Sequence, residues 1–194
     1  MKKRIFILIL CLLMVVGLFT ACGNSGSPRI EPTPGVWDGY VFTSEYMGFH
    51  FVLPPGWNVA PEAVFAQAMG SGTLHMMADS PTGAIVIFYS RNRNVTGRRP
   101  TFEEMMRRIV EEAPESSIRA IPDSVGTVTL GNYEWDFFDT EEDLFGMTIS
   151  GRYLFNFQGA FLRRIMISST PENGESFDDI LAWFVGLDEP LPER

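Results

Sequence analysis

Long stretches of alternating apolar and polar residues in the second half of the chain constrain its fold more than any other feature. In the clearest stretch the apolar side chains are spaced two or four residues apart, at Met147, Ile149, Tyr153, Phe155 and Phe157. This spacing sends them to one face of a strand, which is typical of a half-exposed antiparallel strand. Four strands are predicted in this half, over residues 125–131, 133–139, 145–157 and 160–169.

The first half of the chain adds further strand signals. Apolar residues alternate within residues 41–53, and a Pro-Pro-Gly turn ends that stretch. Residues 73–79 and 84–90 are predicted to form a hairpin. Because its second strand is apolar on both faces, we expect that strand to lie inside the sheet and to be covered on both sides.

Three helices are predicted between and after these strands. A short one begins at Pro61 and ends at Gly70, and a second begins at Thr101, which forms a capping box with Glu104. A final helix is predicted from the capping residue Ser176 to Gly186. Its buried stripe comprises Phe177, Ile180, Leu181, Phe184 and Val185.

This order of elements predicts an α+β fold, in which a mainly antiparallel sheet of about six to seven strands is flanked by helices. The chain has two cysteines, Cys11 and Cys22. Cys11 lies in a leader that we expect to be removed, so no disulfide can form within the mature domain. Its stability must therefore come from packing.

The first 22 residues carry the signature of an export signal. A basic start at residues 2–4 is followed by an apolar run over residues 5–19 and then by Thr20-Ala21-Cys22. The apolar run is short for a membrane-spanning helix, which needs about 20 apolar residues. This layout predicts a cleaved secretory signal, and therefore an extracytoplasmic protein.

A cysteine directly after a small residue resembles the lipobox of bacterial lipoproteins, although Phe19 stands where that family usually has leucine. The resemblance implies that Cys22 receives a diacylglyceryl group on its sulfur and becomes the mature N-terminus. Two or more acyl chains are enough to anchor a protein to a membrane. The predicted organisation is a signal at 1–21, a lipidated tether at 22–36, one domain at 37–187 and a tail at 188–194.

The charge balance excludes one class of function. The chain has 15 basic and 24 acidic residues, a net charge of −9, and loss of the leader would leave 12 basic residues against the same 24. Such a surface repels the phosphates of nucleic acids and anionic lipid headgroups. We therefore expect no nucleic-acid partner and no contact with the membrane other than the lipid.

Residues 48–57 read Gly-Phe-His-Phe-Val-Leu-Pro-Pro-Gly-Trp. This motif resembles the opening of PsbP-like domains, which many lipoproteins of Gram-positive bacteria carry. The resemblance would cover residues 37–187 and implies an α/β/α sandwich. The plant members of the family are accessory subunits of photosystem II that assist calcium and chloride retention. The resemblance implies no common reaction for the bacterial members, and no residue or cofactor of this chain can be assigned from it.

Few residues suggest a chemical site. The densest acidic group could bind calcium weakly or could simply be a solvated loop between strands; it comprises Asp136, Asp139, Glu141, Glu142 and Asp143. The arginine pairs at 98–99, 107–108 and 163–164 could bind a phosphate or carboxylate, although pairing with the many acids is the simpler expectation. His50 and His75, the only histidines, lack a partner at metal-ligand spacing.

These observations predict a lipid-anchored, non-enzymatic module of the cell envelope that binds another envelope protein and needs no cofactor. One alternative is a lipoprotein that binds a small molecule or a divalent cation, which a pocket lined by Trp57, Tyr89 or Trp135 would favour. The other is a hydrolase without a familiar motif, which would require a histidine, an acid and a nucleophile in one cleft.

Overall fold

The computed structural model describes residues 32–61, 73–92, 101–112, 118–121, 123–144, 146–158, 161–170 and 175–192. A smaller sheet has four antiparallel strands in the order β1-β2-β3-β12. Its strands are β1 (Val36–Asp38), β2 (Val41–Ser44), β3 (Phe49–Val52) and β12 (Phe184–Gly186).

A larger sheet has eight antiparallel strands. Its strands are β4 (Asn58–Val59), β5 (Thr73–Asp79), β6 (Ile85–Asn92), β7 (Arg119–Ala120), β8 (Gly126–Leu130), β9 (Tyr133–Leu144), β10 (Met147–Gln158) and β11 (Phe161–Ser169). They follow the order β4-β5-β6-β11-β10-β9, and both β7 and β8 pair with β9. The last hairpin, β10-β11, therefore lies at the centre of the sheet, and β6, apolar on both faces, is its interior neighbour as predicted.

The two sheets pack face to face around a core of aromatic side chains. Phe88 of the larger sheet is fully buried, and its ring centroid lies 5.1 Å from that of Phe49 and 5.4 Å from that of Phe51 in the smaller sheet. The opposite face of the larger sheet carries helix α1 (Phe102–Glu112), whose buried Met105 and Ile109 contact a second apolar cluster. We call this second face the outer face.

The prediction of a helix-flanked α+β sandwich with one sheet of six or seven strands is wrong. The chain instead forms two packed sheets of four and eight strands. Helical structure in the described part of the chain is confined to α1 and to the five residues of α2 (Phe177–Leu181). None of these helices has the length and apolar character needed to span a bilayer. The predicted helix at Pro61–Gly70 falls almost entirely outside the described residues.

The final helix is shorter than predicted because tertiary pairing overrides the helical pattern. Ser176 caps α2, as expected, and forms a capping box with Asp179, but the helix ends at Leu181. Phe184 and Val185 then form β12 and pair with Phe51 and His50 of β3. Short apolar runs fit a helix or a strand equally well, and here an open strand edge decides the outcome.

The predicted helix at Thr101 is confirmed. The Glu104 carboxylate accepts a hydrogen bond from the Thr101 backbone at 2.9 Å, and the Thr101 hydroxyl accepts one from the Glu104 backbone at 3.3 Å. This reciprocal pair satisfies two backbone N–H groups at the start of α1. It fixes where the helix begins, and so fixes which of its side chains lie over the outer face.

Candidate anion-binding pocket

Two adjacent arginines of β11 point to opposite faces of the larger sheet. Arg163 faces the smaller sheet, whereas Arg164 faces the outer side, because successive side chains of a strand alternate. Neither guanidinium contacts a carboxylate of the described residues. Burying a cation without a counter-ion is costly, so each arginine needs a physical explanation.

Neutral acceptors and aromatic rings account for Arg163, which is 1% exposed. Its guanidinium donates to the Tyr46 carbonyl at 2.6 Å and to the side-chain oxygen of Asn156. It also lies 4.0 Å from the centre of the Tyr133 ring. The Nε–H of Arg163 is buried and, like that of Arg164, meets no acceptor among the described residues. Desolvation by burial lowers the pKa of Arg163. These contacts tie β11 to the turn before β3, which is a structural role.

No acceptor for the Arg164 side chain lies among the described residues. Its guanidinium carbon lies 4.1 Å from the centre of the Tyr89 ring and 6.0 Å from that of Phe155. The Nε–H group is buried and meets no hydrogen-bond acceptor among the described residues. Desolvation by burial lowers the pKa of Arg164 to about 10, so the side chain still carries its charge at neutral pH. The ring contacts offset only part of the cost of burying this cation.

Arg152 shows how the same fold treats a shielded arginine that has a counter-ion. Its guanidinium lies between the rings of Phe137 and Phe177. It also donates to both carboxylate oxygens of Asp139, at 2.7 and 2.9 Å. Arg152 and Arg164 are thus both packed against aromatic rings, but only Arg152 meets a carboxylate of the described residues.

Arg164 lines a pocket between α1 and the outer face of the larger sheet. The sheet contributes Tyr89, Phe155 and Leu162 beside it. Helix α1 contributes Met105, Arg108 and Ile109, and Arg91 comes from the end of β6. The cavity volume is about 30 Å³, and the pocket is partly open to solvent.

The charge of this pocket opposes that of the chain. Among the described residues that line it, the charged ones are Arg91, Arg108 and Arg164, and none is acidic, whereas the whole chain has a net charge of −9. The β6-β11 register places Arg164 opposite Tyr89 and Leu162 opposite Arg91, so the two strands bring their arginines to the same face. The pocket is therefore suited to an anion and unsuited to a metal cation.

Sequence reasoning singled out the pairs at 107–108 and 163–164 without connecting them. The arginines that line the pocket are far apart in the chain, and strand pairing and helix packing bring them together. The pair at 98–99 lies outside the described residues. An available signal was that two adjacent arginines within a predicted strand must face opposite sides of a sheet.

The acidic group does not form a cluster. The five acidic residues all belong to β9, and the predicted loop after residue 139 is strand. The unbroken register with β10 places Asp139, Glu141 and Asp143 on one face of the strand, and Asp136 and Glu142 on the other. Asp139 pairs with Arg152, and Glu141 pairs with Arg119 at 2.6 Å. In the part of the chain that the structure describes, no three histidine, cysteine or acidic side chains lie close enough to hold a metal ion.

The two histidines lie in different sheets and bond to different hydroxyl groups. His50 of β3 lies 2.8 Å from the Thr43 hydroxyl, and His75 of β5 lies 2.8 Å from the Ser90 hydroxyl. The structure therefore does not bring them together.

Three aromatic residues were expected around a pocket: Trp57, Tyr89 and Trp135. Of these, only Tyr89 lines the pocket described above. Trp135 is buried between the sheets, and the Trp57 indole donates to the Glu175 carboxylate at 3.2 Å.

Acidification is expected to destabilise the domain partly through His75. Desolvation by burial lowers the pKa of His75 from 6.5 to about 4. Between these pH values the unfolded chain binds more protons than the folded one. The contribution of His75 to stability is therefore complete above pH 6.5 and is lost as the pH falls towards 4. Urea unfolding at about pH 7 and about pH 5 should show a smaller loss of stability in His75→Gln than in the wild type. Equal losses would contradict this assignment.

Comparison with known proteins gives remote structural likenesses. No family model and no curated protein matches the chain. A crystal structure from Bacteroides thetaiotaomicron VPI-5482 is 12% identical, with a TM-score of 0.44 over 75% of this chain. The chain spans 46% of that protein.

Two further solved structures are similar. One is the solution structure of cyanobacterial PsbP (CyanoP) from Synechocystis sp. PCC 6803, at 7% identity and a TM-score of 0.48, covering 79% of this chain and 94% of that one. The other is LpqN, involved in cell envelope biogenesis of Mycobacterium tuberculosis, at 11% identity and a TM-score of 0.40, covering 64% and 72%. At these values the likenesses assign neither a family nor an activity, and the PsbP-like resemblance stays a prediction.

Proposed function

We propose that the chain is a lipid-anchored, non-catalytic binding module of the cell envelope and that its ligand enters the pocket beneath α1. One observation carries the binding role: Arg164 is a partly buried cation that lines a pocket open to solvent, and its guanidinium meets neither a hydrogen-bond acceptor nor a carboxylate among the described residues. A group of this kind is costly to keep unless something binds to it.

The location rests on the leader sequence. A basic start, a short apolar run and a cysteine at position 22 support export followed by attachment of a lipid to Cys22. Residues 1–31 lie outside the described part of the chain, so this element of the proposal depends on sequence alone. The tether that follows would let the domain reach ligands close to the membrane surface.

The pocket favours a small ligand over the other occupants considered. A divalent cation would be repelled by the arginines that line it. The pocket is small, with a cavity volume of about 30 Å³, whereas a protein partner would bury a surface far larger than the walls of this pocket. The small-molecule alternative is thus better supported than a protein partner, and Tyr89 is the residue that favours it.

Native mass spectrometry of the protein purified from its own membranes tests this function. The expected result is a second population that carries a small non-covalent ligand. Arg108→Glu should remove that population, because it places a negative charge at the pocket. Arg107→Glu is the matched control, since Arg107 is its exposed neighbour on the same helix and does not line the pocket.

Two outcomes would contradict the proposal. One is a ligand-free protein in every preparation. The other is a co-purifying protein whose amount is unchanged in Arg108→Glu. That result would indicate an accessory module that binds another envelope protein away from this pocket.

A further inference from the structure

The geometry points to a small carboxylic acid with a short apolar body as the ligand of this pocket, and this inference rests on the function proposed above. Three features carry it: the charge of Arg164, whose guanidinium meets no carboxylate of the described residues, the forked shape of that guanidinium, and the apolar side chains beside it. Each restricts the ligand in a different way.

The ligand is an anion because Arg164 is a shielded cation. In solution a guanidinium forms hydrogen bonds with water through five N–H groups, and burial against Tyr89 removes part of that hydration. Its buried Nε–H has no acceptor among the described residues. A negatively charged acceptor would restore the lost hydrogen bonds and supply the missing counter-ion, and such charge-assisted bonds are the strong ones.

The head group is a carboxylate because of its shape. The two oxygens of a planar carboxylate match the fork of a guanidinium, so a single arginine can bind both of them. A phosphate group is tetrahedral and more strongly hydrated. Among the described residues that line this pocket, Arg164 is the one arginine that is partly buried, whereas Arg91 and Arg108 are exposed.

The body of the ligand is apolar because the walls beside Arg164 are apolar. Met105, Ile109 and Leu162 are each at most 6% exposed, and they line the pocket between α1 and β11. A short alkyl group attached to the carboxylate would contact these side chains and leave water. Arg108, which is exposed at the opening, would add attraction for the negative charge.

Isothermal titration of the detergent-solubilised full protein tests the ligand class with four probes: acetate, butanoate, butan-1-ol and butyl phosphate. Butanoate should bind about tenfold more tightly than acetate, because two methylene groups become buried. Butan-1-ol, which has the same alkyl group without the charge, should show no measurable binding. Butyl phosphate should bind more weakly than butanoate.

Variants then locate the site. Arg164→Gln should weaken butanoate binding by about tenfold to a hundredfold, the range for loss of a charge-assisted hydrogen bond. Arg119→Gln is the matched control and should leave butanoate binding unchanged. It makes the same charge change at an exposed residue of β7, which pairs with Glu141 and does not line the pocket. Arg108→Gln, an exposed change that spares the core, should also weaken binding and serves if Arg164→Gln does not fold.

The results separate this inference from the function on which it rests. Equal binding of butanoate to the wild type and to a folded Arg164→Gln, or tighter binding of butyl phosphate, would overturn the carboxylate assignment. If no probe binds but native mass spectrometry still finds a small molecule that Arg108→Glu removes, the ligand class is wrong and the binding module stands. If native mass spectrometry finds none either, both fail.

Discussion

Phe88→Ala is expected to destabilise the domain by about 3–5 kcal/mol, the usual cost of removing a buried phenylalanine. Phe88 is 0% exposed and joins the two sheets. Besides Phe49 and Phe51, its ring lies 5.8 Å from that of Phe42 and 5.5 Å from that of Phe184, all in the smaller sheet. Domains of this size have a free energy of unfolding of roughly 5–15 kcal/mol. This one substitution would therefore remove a large part of the stability, as urea unfolding would show.

Phe157→Ala is a suitable control, because Phe157 lies on the outer face of the same sheet and is only partly buried. We expect it to cost clearly less than Phe88→Ala. If the two substitutions cost the same, the sheets do not pack around Phe88 as described.

Cys22→Ala is expected to abolish retention of the protein on the membrane. The proposed lipid would be joined through the sulfur of Cys22, so alanine removes the only atom that could carry it. The membrane-bound fraction should fall to nearly zero, because the predicted anchor consists of acyl chains alone. Each buried CH₂ of those chains contributes about 0.8 kcal/mol to membrane binding, and the variant would lose all of these contributions. Fractionation of cells followed by immunoblotting should find the variant in the medium or as an unprocessed precursor.

Cys11→Ala is the matched control for this experiment. It removes the other cysteine of the chain, within the predicted leader, and should leave retention unchanged. A correctly trimmed Cys22→Ala protein that stays on the membrane would contradict the lipid anchor.

Much of the larger sheet could be predicted from the sequence, because its strands carry their own signals. The alternation over residues 145–157 corresponds to β10, which pairs with β11. The capping box at Thr101 correctly marks the start of α1. These signals are local, and local physics decides them.

The smaller sheet could not be predicted, because its formation depends on pairing between segments that are far apart in the chain. Val185 joins β3 only when residues 184–186 reach the open edge of that strand. The sequence of this segment fits a buried helical stripe equally well. The same limit applies to β9, whose last residues, up to Leu144, become strand by pairing with β10 although their acidic composition suggested a loop.

The pocket, too, could be predicted only in part from the sequence. The pair Arg163-Arg164 is visible in the sequence, and a strand assignment implies that the two side chains face opposite sides. Which side would lack an acceptor depends on the neighbours. Tyr46 and Asn156 supply acceptors to Arg163, whereas Arg164 meets aromatic rings. That difference arises only when the turn before β3 packs against β11.

A crystal structure of the protein purified from its own membranes tests the central claim most directly. The account predicts electron density for a small molecule in the pocket between α1 and β11, with an acidic group within hydrogen-bond distance of the Arg164 guanidinium. A carboxylate of the chain itself paired with Arg164 would contradict the claim, because the charge that defines the site would then be neutralised within the fold.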